Sequence, residues 1–238
     1  MAKGDAKAAG GARQGGGITM AQARRESPKV RRERAAEIFR RLSAEYPHTR
    51  IALDFGNAYE LLVATILAAQ CTDKRVNVVT PALFRRYPSP RELAVADLAE
   101  VEELVHSINF FHNKSRALVA LGQTLVNEHG GEVPKTMEEL EALPGVGRKT
   151  ANVVLANAFG IDVGIVIDTH GKRLSGRLGF STEDDPEKIE RDLMEVVPRE
   201  WWTPWAHLMA DHGRAVCIAR KPACGRCVVA ELCPSAEV

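Results

Sequence analysis

Helix-start signals recur along this chain, whereas the alternation of apolar and polar residues that marks β-strands is almost absent. Capping residues stand where apolar stripes of helical period begin, as at Ser89-Pro90, at Thr136 with Glu139, and at Asp185-Pro186. The one strand-like segment, residues 163–167, is too isolated to build a sheet. The sequence therefore predicts an all-α fold of many short helices.

Hydrophobic residues make up 45% of the 238 positions, which is enough for a packed core and excludes a chain that is disordered throughout. The longest strongly apolar run, residues 61–69, is about half of the roughly 18 to 20 residues that cross a bilayer. We therefore expect no membrane span. The N-terminus lacks the hydrophobic stretch of a secretory signal, so a cytoplasmic protein is predicted.

The formal net charge is +1, and a value this close to zero normally argues against a nucleic-acid partner. The charges are unevenly distributed, however, because residues 1–34 hold nine Lys or Arg against three Asp or Glu. The stretch is also rich in Gly and Ala at its start. We predict a disordered basic extension over residues 1–28, which is either a nucleic-acid tether or a solvated tail with no role.

Four cysteines fall within 17 residues near the C-terminus in the pattern C-x6-C-x2-C-x5-C, namely Cys217, Cys224, Cys227 and Cys233. Two disulfides are the plain alternative, but disulfides are disfavoured in a reducing cytosol. Zinc on four thiolates usually has two Cys-x2-Cys pairs, and only one is present here. Clustered thiolates also suit an iron-sulfur cluster. The spacing indicates a metal site and leaves the metal open.

Residues 143–151 predict two helices joined by a tight turn that contains Gly145 and Gly147. Such a turn presents backbone N–H groups at a helix N-terminus, which is a site for a phosphate, and Arg148 adds positive charge there. Binding of this kind is largely indifferent to base sequence.

Lys149 follows in the first turn of the second helix, where the helix dipole opposes a positive charge and a neutral amine can act as a nucleophile. Most lysines in such a place are surface residues near a phosphate, so a catalytic role needs a partner. Asp168, which follows the strand-like segment, is a candidate carboxylate. Its alternative role is to cap the helix that begins near Thr169, and both roles can coexist.

The hairpin with Lys149, the Asp168-Thr169-His170 motif, the His212-Gly213-Arg214 motif and the cysteine pattern together resemble endonuclease III, a bifunctional DNA glycosylase and lyase of the helix-hairpin-helix glycosylase superfamily. The resemblance covers about residues 30–233. It implies that the four cysteines bind a 4Fe-4S cluster, that Lys149 is the nucleophile, and that Asp168 is the assisting carboxylate. The implied substrates are oxidised pyrimidines and abasic sites in double-stranded DNA, bound by a monomer that is associated with the nucleoid in a bacterium.

The resemblance also implies a set of DNA contacts. Gln70 matches the residue that fills the gap left by a flipped nucleotide, and Phe110 matches the wedge that enters the stack opposite. The remaining expected contacts are Gly145, Gly147, Arg148, His170, Arg220 and Lys221. The loop that holds Phe110 departs from the family, because Asn109 and a Phe pair stand where a Gly-Leu-Tyr or Gly-Phe-Tyr sequence is usual.

The implied architecture is two helical domains that flank a DNA-binding cleft. Residues 51–162 would form a six-helix barrel that ends in the helix-hairpin-helix, and residues 29–50 with 163–238 would form the iron-sulfur cluster domain. Three alternatives remain open from the sequence. The first is an adenine or mismatch glycosylase of the same superfamily, a class that lacks the lysine. The other two are a non-catalytic DNA-binding module and a zinc-binding scaffold.

Overall fold

The computed structural model describes residues 17–237, and no β-strand occurs among them. The all-α prediction is confirmed. The helices are α1 (Met20–Ala23), α2 (Pro28–Glu45), α3 (Ala58–Ala68), α4 (Asp73–Arg86), α5 (Pro90–Ala94), α6 (Leu98–Val105), α7 (Phe111–His129), α8 (Met137–Glu141), α9 (Arg148–Phe159), α10 (Thr169–Arg177), α11 (Pro186–Met194) and α12 (Trp202–Ala215). Short 3-10 segments cover Arg199–Trp201, Cys224–Arg226 and Ala230–Leu232.

The predicted capping residues begin the helices expected of them. Ser89 caps α5 with Pro90 in its first turn, and the Thr136 hydroxyl accepts the backbone N–H at the third position of α8. Asp185 caps α11 by accepting two backbone N–H groups through one carboxylate oxygen, each at 3.1 Å. Local hydrogen bonding therefore marks where these helices start, because each cap satisfies donors that the helix cannot.

One hydrophobic cluster is built around α3. The side chains of Leu61, Leu62, Val63 and Leu67 are fully buried, so this helix is apolar on all sides and takes a central position. Helices α4, α7 and α9 pack against it, and α5 and α6 pack on α7. The cluster contains buried residues from Leu53 to Leu155.

A second hydrophobic cluster joins the N-terminal helix α2 to the C-terminal part of the chain. Helix α12 contacts both α2 and α10, and Trp205 of α12 packs edge-on against Phe180 with ring centroids 5.9 Å apart. The cluster runs from Ala35 to Leu42 and then from Ile165 to Val229. From α2 onward, the described chain therefore passes from this cluster through the first and returns.

The strand-like segment forms the return crossing as an extended loop. Val163 and Val166 pack against the first cluster, whereas Ile165 and Ile167 are buried in the second. Its apolar character is explained by its position between two cores, because its side chains are divided between them. For this reason, an apolar run of this length cannot be assigned to one type of element from sequence alone.

The predicted disorder of residues 1–28 is wrong for residues 17–28, while the rest of that prediction lies outside the described residues. Thr19 and Gln22 form a capping box that starts α1, and Ala23 is buried. The Glu26 carboxylate then makes a buried ion pair with Arg34, with 2.8 Å between Arg34 Nε and Oε1. Because an unpaired Arg34 would be costly inside the protein, this segment is fixed to the second cluster.

Among residues 17–237, no helix combines the length and the apolar character needed to cross a membrane.

Candidate active site

A cleft of about 540 Å³ lies between α3 and α9 on one side and α10 and α12 on the other. Four of the site residues expected from sequence line it, namely Gln70, Lys149, Asp168 and His170. They come from three separate stretches of the chain, which the two hydrophobic clusters bring to one opening. The cleft is large enough for an extruded nucleotide to enter.

Lys149 reaches the cleft from the first turn of α9. Its side chain is exposed, and it makes no ion pair or hydrogen bond with any residue between 17 and 237. The N-cap of α9 is Gly147, which has no side chain to cap the helix. The amine is therefore both accessible and close to the free backbone N–H groups at the α9 N-terminus.

Asp168 is the N-cap of α10. Its Oδ1 accepts the backbone N–H of Gly171 at 2.6 Å, which fixes the direction of the carboxylate at the cleft wall. The capping role expected from sequence is therefore present. The second oxygen, Oδ2, has no hydrogen-bond partner among the described residues.

The hairpin turn has two glycines in different environments. Gly145 has φ of +77°, and a Cβ there would lie 3.1 Å from the Ala117 side chain, so only glycine fits without strain. Gly147 is exposed, and a Cβ there would meet nothing within 4 Å. Gly145 therefore shapes the turn, while Gly147 leaves open space in front of the α9 N-terminus.

Arg148 is directed toward α11, away from the amine beside it. Its guanidinium lies 3.6 Å from Glu190 Oε2, and Asn152 donates to Oε1 of the same carboxylate at 3.3 Å. Burial raises the pKa of Glu190, although the Arg148 charge opposes that shift. Arg148 is half-exposed, so it can still approach a phosphate while holding α9 against α11.

Gln70 and Phe110 lie on two neighbouring loops at the lip of the cleft. Gln70 is exposed and lines the cleft, and Phe110 is 62% exposed although it is aromatic. The side-chain amide of Asn109 donates to the Gln70 carbonyl at 2.6 Å, which joins the two loops. An exposed phenyl ring in this place fits insertion between stacked bases.

His170, Arg220 and Lys221 differ in their settings. His170 lines the cleft, and its Nδ1 accepts from Arg173 at 3.0 Å because a guanidinium has no acceptor. Arg220 and Lys221 are exposed on the cysteine loop and do not line the cleft. They could contact DNA only beyond the cleft itself.

The sequence assigned no individual role to two polar residues that the structure places beside the site. Lys114 is buried at 8% exposure and donates to main-chain carbonyls at the end of α3. Arg214 lines the cleft and pairs with Asp73 at 3.0 Å across the two clusters. The signal for Lys114 was a lysine among apolar residues of α7, but nothing local shows where its partners lie.

The four cysteines surround one small cavity of about 30 Å³. No disulfide joins them, and no group of three His, Cys, Asp or Glu side chains among residues 17–237 closes on a single-ion site. Arg177 donates to the Cys217 sulfur at 3.2 Å, and His212 Nε2 lies 3.4 Å from the Cys227 sulfur. Nitrogen donors aimed at sulfur are the usual surroundings of iron-sulfur ligands, so the residues fit a cluster.

Sequence families match two parts of the chain. Residues 63–199 match the HhH-GPD superfamily of base excision DNA repair proteins. Residues 217–233 match the iron-sulfur binding domain of endonuclease III, which spans the four cysteines. The two matches together include every expected catalytic and metal-binding residue.

Curated relatives and solved structures agree with these families. The chain is 55% identical to endonuclease III of Synechocystis sp. over 207 residues, covering 87% of this chain and 94% of the relative. It is 40% identical to endonuclease III of Escherichia coli (strain K12), covering 84% and 95%. A non-covalent endonuclease III-DNA complex superposes with a TM-score of 0.81 at 39% identity, covering 86% of this chain and 96% of that one.

Proposed function

The chain belongs to the endonuclease III family, and from that premise we propose that Lys149 and Asp168 carry out its chemistry on oxidised pyrimidines in duplex DNA. It is a base excision repair enzyme, a DNA N-glycosylase and AP lyase that binds DNA and holds a 4Fe-4S cluster. The observation that carries the proposal is that Lys149 and Asp168 line the same cleft.

Lys149 is the proposed nucleophile. Its exposed amine, in the neutral form, attacks C1′ of the flipped nucleotide, and the glycosidic C–N bond breaks with its electron pair going to the base. After the nitrogen loses a proton, its lone pair forms the C=N bond of a Schiff base while the C1′–O4′ bond breaks, and O4′ takes up a proton. Proton removal from C2′ breaks the C3′–O bond and cuts the strand. A solved structure similar to this chain is of a trapped endonuclease III-DNA covalent intermediate, which supports a covalent route.

Asp168 is the proposed assisting carboxylate. Its Oδ1 is held by the Gly171 N–H, so the group keeps one orientation while Oδ2 stays free. A fixed negative charge beside the sugar stabilises positive charge that develops as the base leaves, and the same oxygen can take a proton from the Lys149 amine. Fixing the carboxylate in advance avoids reorganisation during the reaction.

DNA is held by the hairpin and by the two lip loops in this proposal. The open space at Gly147 admits a phosphate to the N–H groups of α9, with Arg148 beside it. Gln70 fills the gap left by the extruded nucleotide, and Phe110 enters the stack opposite. His170 lies on the cleft wall beside the extruded sugar.

Cys217, Cys224, Cys227 and Cys233 would hold the cluster. When bound, the cluster supplies a covalent cross-link for a segment that has only short 3-10 helices of its own. The chain between the first two cysteines presents Arg220 and Lys221 to solvent, where they can contact the DNA backbone. Neither residue takes part in the chemical step.

We further propose a division into two domains, residues 51–162 and residues 29–50 with 163–238. The two hydrophobic clusters support this division, and residues 17–28 are added to the second domain by the Glu26–Arg34 pair. We expect a monomer at the nucleoid, because one copy already supplies every residue of the proposed site.

A panel of duplex oligonucleotides tests the substrate proposal. Each duplex carries one lesion, either thymine glycol, dihydrouracil, 8-oxoguanine, or adenine opposite 8-oxoguanine, and base release and strand cutting are measured separately. The expected result is release and cutting at the two pyrimidine lesions, with little action on the purines. Excision confined to adenine would replace the proposal with an adenine glycosylase.

A further inference from the structure

Two residues with strained backbone lie on the two loops that meet at the lip of the cleft. Gln70 has φ of +54° and Phe110 has φ of +59°, and they are two of the three non-glycine residues with positive φ among those described. Both are exposed, so burial of their own side chains does not explain these conformations. Left-handed backbone at such residues persists only where the surroundings impose it.

Asn109 is the first of two residues that hold these loops in place. Its side-chain amide donates to the Gln70 carbonyl at 2.6 Å, across 39 residues of sequence. Because Asn109 directly precedes Phe110, this one hydrogen bond joins the main chains of both strained loops. A glycine at this position would have no group with which to make that bond.

Lys114 is the second residue that holds these loops in place. Its ammonium donates to the carbonyls of Leu67 at 2.8 Å and Ala69 at 2.5 Å, the last turn of α3 before Gln70. Its own backbone N–H donates to the Phe110 carbonyl at 3.1 Å. One buried residue therefore holds the residues on both sides of the lip.

We propose that Asn109 and Lys114 form a latch that holds Gln70 and Phe110 in the strained positions in which they enter the DNA duplex. This inference rests on the proposed function, because it concerns how that function extrudes a nucleotide. Neither residue touches the reacting atoms, so both are positioning residues. With the latch in place the two loops need no reordering at the moment of insertion, and that saving favours extrusion.

The experiment follows extrusion directly. Proteins carrying Lys149→Ala are mixed with duplex DNA that has 2-aminopurine beside an abasic-site analogue, and the fluorescence rise reports unstacking. Lys114→Met and Asn109→Ala are each added to this background. The matched controls are Lys135→Met and Asn127→Ala, which change exposed residues outside the cleft and the lip. Excision is measured in single turnover with proteins that carry the same substitutions and keep Lys149.

We expect extrusion and excision to slow together, by about tenfold for Lys114→Met and about threefold for Asn109→Ala, as hydrogen bonds of this kind predict. Both controls should match their parents. In a Gln70→Ala background, adding Asn109→Ala should cost less than about twofold, because residues that act through one another are not additive. Asn109→Ala alters an exposed side chain, so it carries the test even if Lys114→Met fails to fold.

Normal fluorescence and excision in a folded Asn109→Ala protein would overturn the latch. So would full additivity with Gln70→Ala, because Asn109 would then not act through that loop. A wild-type protein that neither excises the pyrimidine lesions nor raises the fluorescence would instead overturn the proposed function.

Discussion

At the scale of the single residue, Asp168 combines a structural and a chemical task. One oxygen accepts the Gly171 N–H and caps α10, and the other is free at the cleft. Asparagine caps helices about as well as aspartate, but it carries no charge. The two tasks can therefore be separated by one substitution.

We predict that Asp168→Asn lowers the single-turnover rate of excision by about 100-fold, which is within the usual range for a lost acid-base group. The free energy of unfolding should change by less than about 0.5 kcal/mol, since the cap is kept. Asp185→Asn is the control, because Asp185 caps α11 through the same kind of bond and does not line the cleft. A rate loss matched by Asp185→Asn would contradict a chemical role for Asp168.

The positions of Lys149 and Asp168 in the fold could be predicted because their immediate neighbours in sequence set them. Each stands at a helix N-terminus marked by glycines or by a capping pattern, so the local sequence nearly determines the geometry. Lys114 could not be predicted in this way. Its partners are 45 and 47 residues away, and only the packing of α7 against α3 brings them together.

At the scale of the helix, the α9 N-terminus depends on two glycines with separate purposes. We predict that Gly147→Ala lowers the free energy of unfolding by less than about 1 kcal/mol, the usual difference between glycine and alanine at an N-cap, because a Cβ there meets nothing and φ is −109°. The added methyl stands where a phosphate would approach, so the Kd for duplex DNA should rise about tenfold. Binding is measured by fluorescence anisotropy.

Gly145→Ala should show the opposite balance. Its positive φ and the nearby Ala117 side chain predict a loss of about 1 to 2 kcal/mol in unfolding free energy. If Gly147→Ala weakened folding and left DNA binding intact, the phosphate grip would be wrongly placed.

The contact between α9 and α11 predicts a pH dependence. Burial raises the pKa of Glu190 above its usual value, so the folded state holds the proton more tightly than the unfolded state does. The stabilisation that comes from this tighter proton binding is complete below the pKa of Glu190 in the unfolded state. It is lost as pH rises through the pKa of Glu190 in the folded state. Glu190→Gln mimics the protonated form. Its stability relative to wild type should therefore increase between about pH 4 and pH 8, measured by urea unfolding. A constant difference across that range would contradict this prediction.

Helix starts were the most predictable elements. The caps at Ser89, Thr136 and Asp185 are local and strong, and all three begin helices. Helix α1 was missed even though Thr19 and Gln22 form a capping box. The Gly-rich residues before it and the four-residue length hid the signal, because so short a helix is stable only through tertiary contacts.

At the scale of the whole molecule, the N-terminal segment is part of the second cluster. We predict that Glu26→Ala lowers the free energy of unfolding by about 3 kcal/mol, because Arg34 would keep a buried charge without its partner. Glu33→Ala is the control, since its pair with Lys29 is exposed and should contribute less than about 0.5 kcal/mol. Equal urea midpoints for the two variants would show that residues 17–28 are only loosely attached.

Composition alone was misleading at this scale. A net charge of +1 normally argues against a nucleic-acid partner, yet the chain is a DNA repair glycosylase. The grip proposed here uses backbone N–H groups and a few well-placed cations, which a charge total cannot register. The two-cluster organisation is not visible in the composition either, and its expected boundaries came from the family resemblance, because the first and last parts of the second cluster are more than 100 residues apart in sequence.

Every step of the proposed chemistry depends on Lys149 as the nucleophile of this enzyme. The most direct measurement is to incubate the protein with abasic-site duplex and sodium borohydride, digest the product, and locate the modified residue by mass spectrometry. We predict one covalent DNA adduct, reduced at Lys149, that is absent from Lys149→Ala and present in Lys135→Met. An adduct on another residue, or equal trapping by Lys149→Ala, would contradict the account.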